Sequence, residues 1–163
     1  MKRVLPAALF VLLCAGALRA DELSIPDLRF SPGAGLGLAT LSLELNVEGI
    51  RWYGGAQLAL AGATRGAGVA AYGGVRAGVF LTGSSSAPFL GVGIGALGES
   101  DMQNASSAGW GASAEVGLAL RRDERWFHPQ FVVQGILPFS QRYTGAYPHA
   151  TTPVVLLGAR IYL

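Results

Sequence analysis

The sequence predicts an all-β protein: a closed, antiparallel, up-and-down transmembrane β-barrel of eight strands. Three observations predict it. Apolar and polar residues alternate at a period of two along most of the chain. The 163 residues are 51% hydrophobic and only 13% charged, with 24 Gly, whereas soluble domains keep about a quarter of their residues charged. Beyond residue 21 no apolar run approaches the roughly twenty residues that a membrane helix needs.

The strands follow in order. From Leu41 to Val47 the odd positions are Leu or Val and the even ones are Ser42, Glu44 and Asn46, a ladder with two different faces. Ile50, Trp52, Ala56, Leu58 and Leu60 alternate with Arg51, Tyr53, Gln57 and Ala59. Val69 to Leu81 sets Val75, Ala77 and Val79 against Tyr72, Arg76 and Phe80. Leu90, Val92, Ile94 and Ala96 alternate with glycines. Trp110 to Leu120 alternates with Ser113, Glu115, Gly117 and Arg121. Phe127, Phe131, Val133, Leu137 and Phe139 alternate with His128, Gln130 and Gln134. Val155 to Leu163 alternates with Gly158, Arg160 and Tyr162. Seven strands are clear. Membrane barrels close with an even number, so an eighth is expected before Leu36, with Leu23 to Ser31 as its candidate despite Pro26.

Connections are expected to alternate in length. Glu48-Gly49, Ser84 to Ala87 and Arg122 to Arg125 read as short turns, Gly62 to Arg65 as a short loop, and Glu99 to Ala108 and Ser140 to Ala150 as long loops. Short turns on one side and longer loops on the other suit an outer-membrane barrel with a periplasmic C-terminus. A two-residue turn at Glu48-Gly49 would pair Val47 with Ile50, Asn46 with Arg51, Leu45 with Trp52 and Glu44 with Tyr53.

Residues 1–20 read as a cleaved signal peptide and 21–163 as the barrel domain. Lys2 and Arg3 precede a fourteen-residue apolar run, Val4 to Ala17, with A-x-A-like sites at Ala15-Gly16-Ala17 and Leu18-Arg19-Ala20. The run is too short for a membrane anchor. Cleavage would remove the only Lys and the only Cys, leaving nine Arg against ten Asp plus Glu. That balance gives no basic patch for nucleic acid, and no disulfide or thiolate metal site.

The polar face then needs an interior. Glu44, Arg51, Tyr72, Arg76, Glu115, His128, Gln130, Gln134, Arg160 and Tyr162 are expected to line a lumen. Glu115 is expected to pair with Arg76 or Arg160, because an unpaired buried charge is costly and the arginine fork holds a carboxylate well. Glycines on that face would give room to Arg76 and Tyr72. Trp52 and Phe127 at one end, and Trp110 and Phe139 at the other, read as aromatic girdles.

Two motifs carry less. Gly93 to Gly98 matches G-x-G-x-x-G but is followed by loop-like residues rather than the helix that a dinucleotide site needs. The two histidines, His128 and His149, have no serine two residues away, so no catalytic, cofactor or metal site is expected.

The alternating strands, the leader and the C-terminal "VVLLGARIYL" resemble the small eight-stranded outer-membrane proteins of the OmpA/OmpX type. The resemblance is architectural and covers nearly all of residues 21–163. Members of that group end in an aromatic residue; this chain ends Tyr162-Leu163. The resemblance implies a monomer in the outer membrane of a Gram-negative envelope, with membrane lipids and the barrel assembly machinery as partners. It implies a structural or surface-interaction role. The alternatives are a small pore, a lipid-modifying enzyme and a soluble lipocalin-like barrel. The last would turn the apolar face inward, whereas here the charges are scarce and confined to the other face and the loops.

Overall fold

The computed structural model describes residues 28–37, 40–62, 69–100, 106–124, 127–144 and 154–163. Eight strands run β1 (Arg29–Gly37), β2 (Thr40–Glu48), β3 (Trp52–Gly62), β4 (Val69–Phe80), β5 (Ala87–Ser100), β6 (Ser106–Ala119), β7 (His128–Thr144) and β8 (Val154–Tyr162). Each pairs antiparallel with its sequence neighbour, and β1 closes on β8 from Gly33↔Tyr162 to Gly37↔Gly158. The fold is the closed up-and-down barrel that the alternation demands. The β2–β3, β4–β5 and β6–β7 connections lie at one end with the start of β1 and the end of β8; the other connections lie opposite.

The two faces separate as the period of two requires. Outward positions carry exposed apolar side chains, among them Leu36 (72%), Val92 (67%) and Leu58 (65%). Inward positions form two apolar clusters. Tyr53, Phe80, Ala87, Phe89, Ala119 and Val132 pack toward the turn end. Ala59, Ala61, Ala70, Tyr72, Leu97, Ile136 and Leu156 pack toward the opposite end.

Several boundaries differ from the sequence expectation. The first strand is Arg29–Gly37, overlapping the expected Leu23 to Ser31 only at its start; residues 23–27 lie outside the described residues. Gly33, Gly35 and Gly37 leave it no polar-against-apolar contrast to read. Pro32 is tolerated because its carbonyl accepts from the Leu163 amide at 2.9 Å, so its missing N–H faces that last rung of β8 and costs no bond to β2.

The β2–β3 turn is displaced by two residues. Gly49 donates to the Trp52 carbonyl at 2.9 Å, so Ile50-Arg51 is the tip. The register is Glu48↔Tyr53, Asn46↔Gly55 and Glu44↔Gln57, not Glu44 with Tyr53. An even shift preserves both faces, which is why Leu45 still points outward and Tyr53 inward.

The long loops are shorter than expected. Gly98↔Ala108, Glu99↔Ser107 and Ser100↔Ser106 are paired rungs, leaving residues 101–105 as the β5–β6 connection. Strand β7 continues to Thr144. A bulge interrupts it, with Trp110 opposite Ser140 and Gly111 opposite Pro138. Phe139 is the extra residue, and Pro138 sits beside the bulge, where a strand tolerates it. The bulge reverses the alternation, so a period-two reading stops there.

Candidate functional site

The interior is organised around four charged side chains on alternate strands: Glu44 on β2, Arg76 on β4, Glu115 on β6 and Arg160 on β8. They form a closed ring of alternating sign. Arg76 Nη2 pairs with Glu44 Oε2, and Arg76 Nη1 lies 3.1 and 3.2 Å from the two Glu115 oxygens. Arg160 Nη2 reaches Glu115 Oε2 at 2.8 Å, and Arg160 Nε reaches Glu44 Oε1 at 2.8 Å. All four side chains are at most 3% exposed. Charges so dry are retained only when paired and hydrogen-bonded, since each ion costs several kcal/mol to desolvate.

Neutral groups saturate the carboxylates further. Tyr53 Oη donates to Glu115 Oε1 at 2.6 Å. Tyr162 Oη donates to Glu44 Oε2, and Ser42 Oγ donates to Glu44 Oε1 at 2.9 Å. Gln57 and Gln134 exchange amide hydrogen bonds at 3.1 and 2.9 Å, and Arg160 Nη2 donates to Gln134 Oε1 at 3.3 Å. Arg76 Nε and Arg160 Nη1 have no partner.

Glycines make the crossing possible. A Cβ on Gly91 would overlap the Tyr53 hydroxyl and press on Glu115 Cγ at 3.1 Å. A Cβ on Gly93 would stand 3.2 Å from Arg76 Cβ, and one on Gly74 would stand 2.7 Å from the Tyr72 hydroxyl. Gly91 and Gly93 of β5 thus leave room for Tyr53, Glu115 and Arg76, whereas Gly98, the last glycine of the G-x-G-x-x-G stretch, lies on the outward face.

A second polar cluster sits at the turn end on the β1–β2–β7–β8 side. His128 is fully buried and stacks on Tyr162 with centroids 5.1 Å apart. Arg29 Nη2 lies 2.6 Å from His128 Nδ1. Arginine can only donate, so Nδ1 accepts and the ring proton sits on Nε2, 3.4 Å from Glu48 Oε1. Asn46 and Gln130 donate to that oxygen, at 2.9 and 3.4 Å, whereas His128 Nε2 makes no hydrogen bond. Neither ring nitrogen of His128 meets a serine hydroxyl, the arrangement that a Ser–His nucleophile needs.

Arg122 closes this end. It is fully buried and donates to the carbonyls of Ser84, Gly49 and Ile50 at 3.3, 3.1 and 2.9 Å, tying the three turns together. Its guanidinium carbon lies 3.5 Å from the Phe80 ring centroid. Burial, the largest influence, pulls its pKa down to about 10, against the opposing pull of Glu48; it remains a cation at neutral pH.

Nine of the ten residues expected in the lumen are inward and buried: Glu44, Tyr72, Arg76, Glu115, His128, Gln130, Gln134, Arg160 and Tyr162. Tyr72 stands apart from the ring, its hydroxyl 3.3 Å from Ser113 Oγ. Arg51 is a correction: it is exposed at the turn tip, because the turn forms two residues later than expected and lifts it off the ladder. Trp52, Trp110, Phe127 and Phe139 all point outward and are exposed. His149 lies outside the described residues.

Sequence reading missed Glu48, Arg29 and Arg122. Glu48 continues the even alternation of Glu44 and Asn46 and was legible as such. Arg122 was not. Parity points Arg121 inward, but Arg121 has φ 53°, and this left-handed step leaves Arg121 exposed and Arg122 buried.

Among the described residues no group of three or more His, Cys, Asp or Glu is placed to hold a metal ion. Cavities beside Gln134 and Arg160, and beside Ile136 and Leu156, measure about 20 and 10 Å³, room for about one water molecule each. No family model, curated protein or solved structure matches the chain.

Proposed function

We propose that this chain is an integral outer-membrane protein with a structural or surface-interaction role, its barrel a closed scaffold rather than a conduit. One observation carries the reading: outside the end of β7, where Ser140 and Arg142 are exposed, the outward face is apolar and exposed while the other strand charges are gathered inside. Facing water, that band would far exceed the few hundred Å² of apolar patch that soluble monomers expose; facing lipid, it is the expected surface. Trp52 and Phe127 at one end, and Trp110 and Phe139 at the other, are placed as interfacial anchors. Among the described residues no helix is long and apolar enough to cross a membrane, which leaves the strands to do so.

On this reading residues 1–20 direct export, the assembly machinery inserts a monomer, and membrane lipids are its permanent partners. The turn end faces the periplasm. The end opposite the turns presents the surface available to whatever lies outside. The pore alternative is disfavoured because the Glu44–Arg76–Glu115–Arg160 ring spans the lumen between two apolar clusters.

The test is expression of the full-length chain, fractionation of the envelope, and gel mobility in detergent with and without heating. Recovery in the outer membrane with heat-modifiable mobility is the expected result. A chain recovered in the periplasm without detergent would overturn it. Single-channel recording in planar bilayers would separate scaffold from pore, with no discrete conductance steps expected.

A further inference from the structure

The outward face is not uniform. Cross-strand partners share a face, so the register traces rows around the barrel. One row reads Leu58↔Gly73↔Ala96↔Trp110. The next, toward the end opposite the turns, reads Leu60↔Ala71↔Gly98↔Ala108↔Arg142. Both rows begin with leucine, pass over glycine and alanine, and end on a large side chain. The result is a trough of about 590 Å³ on the outer surface, within the roughly 300–1,000 Å³ of sites that hold small ligands. Its floor is the backbone and small side chains of β4, β5 and β6. One wall is leucine from β2 and β3; on the other side Trp110, which is 54% exposed, is the cross-strand neighbour of the floor residue Ala96.

Arg142 makes the trough more than an apolar dent. The bulge at Phe139 reverses the alternation of β7 and leaves Arg142 exposed, opposite the outward Ala108. Without the extra residue the polar side chain would turn inward. Arg142 is the one cation on the outward face of the described strands; the other exposed arginines among the described residues, Arg51 and Arg121, sit in the turns. A lone cation on the strand beside an apolar trough, opposite the lining residue Ala108, complements an amphiphile with an anionic head and a hydrocarbon tail.

We infer that the trough seats an acyl chain of a net-anionic membrane lipid, whose headgroup phosphate pairs with Arg142. The inference rests on the outer-membrane reading above. It makes this side of the barrel a selective lipid site rather than generic annular surface.

Lipid-specific quenching of Trp110 tests it. The full chain, carrying Trp52→Phe and Trp126→Phe, is refolded into phosphatidylcholine vesicles. A minor fraction of the lipid bears brominated chains, on either phosphatidylglycerol or phosphatidylcholine. Brominated phosphatidylglycerol should associate about fivefold more strongly at Trp110, the gain expected of one basic residue at an anionic surface. Arg142→Gln should abolish that preference, and Ala96→Leu, which fills the floor, should weaken quenching by both lipids. Equal quenching by the two lipids in the unsubstituted trough would overturn the inference and leave the membrane reading intact. A companion protein retaining only Trp52 reports insertion: if neither Trp110 nor Trp52 is quenched, the membrane reading fails and the site fails with it. Quenching at Trp52 but not Trp110, in a chain that sediments as a dimer, would show a second copy in the trough and also overturn the lipid assignment.

Discussion

Glu44 and Glu115 are bound by the same two arginines: Arg76 bridges them on one side and Arg160 on the other. Neither carboxylate depends on one partner, and each guanidinium is shared. Removing one member therefore leaves two counter-charges short at once. Glu115→Ala should destabilise the barrel by about 3–5 kcal/mol, the cost of breaking a buried pair, measured by urea unfolding in detergent or lipid. The double variant Glu115→Leu, Arg76→Met should cost much less, because Glu44 and Arg160 remain as a neutral pair. Equal losses in the two proteins would mean that the ring is not electrostatically linked.

The outward face makes a second prediction. Val133→Arg places a charge on the apolar band and should cost roughly 2–4 kcal/mol if the site lies near the midplane. Ser140→Arg, outward beside Trp110 at the end of the band, should cost about 0–1 kcal/mol. Equal tolerance at the two sites, by the same unfolding assay, would favour a soluble barrel.

Glycine packing gives a third. A Cβ on Gly91 overlaps the Tyr53 hydroxyl, whereas one on Gly135 meets nothing within 4 Å. Gly91→Ala should cost about 1–3 kcal/mol, as overpacking does. Gly135→Ala should be neutral or stabilising by a few tenths, through the unfolded chain.

Arg122 gives the fourth. Arg122→Met keeps some packing on Phe80 but strips donors from the carbonyls of Ser84, Gly49 and Ile50. Buried acceptors left unpaired cost about 1–3 kcal/mol each, less where water reaches them. Arg122→Lys should rescue little, since one ammonium cannot reproduce the planar fork. Hydrogen exchange should report the loss locally, with faster exchange at the Gly49 amide.

Much of this was legible because a strand encodes its faces in parity alone. The β2–β3 turn moved by two residues and the pairing by four, from Tyr53 to Gln57 opposite Glu44, yet every side chain still on the ladder kept its face, so Glu44, Arg76, Glu115 and Arg160 could be placed inside without knowing the turn. The pairing of Glu115 with Arg76 and Arg160 followed from the same parity. What parity cannot carry is anything off the ladder. Arg51 left it at a turn tip, Arg122 was turned inward by a left-handed step at Arg121, and Phe139 reversed the alternation beyond it. Strand β1 was nearly silent because its inward residues beyond Arg29 are small, and its pairing comes from backbone bonds that every sequence shares.

The ring also bears on how the molecule is put together. Its members come from β2, β4, β6 and β8, so strands added in order bring one carboxylate, then a guanidinium, then a second carboxylate. In a sheet of β1 to β7 the ring itself would hold two carboxylates against one guanidinium. Only β8 brings Arg160, and β8 is also the strand that seals against β1. Completion of the ring and closure of the seam thus arrive in one event, so an unsealed intermediate keeps the two ring carboxylates on a single shared arginine until its final strand docks.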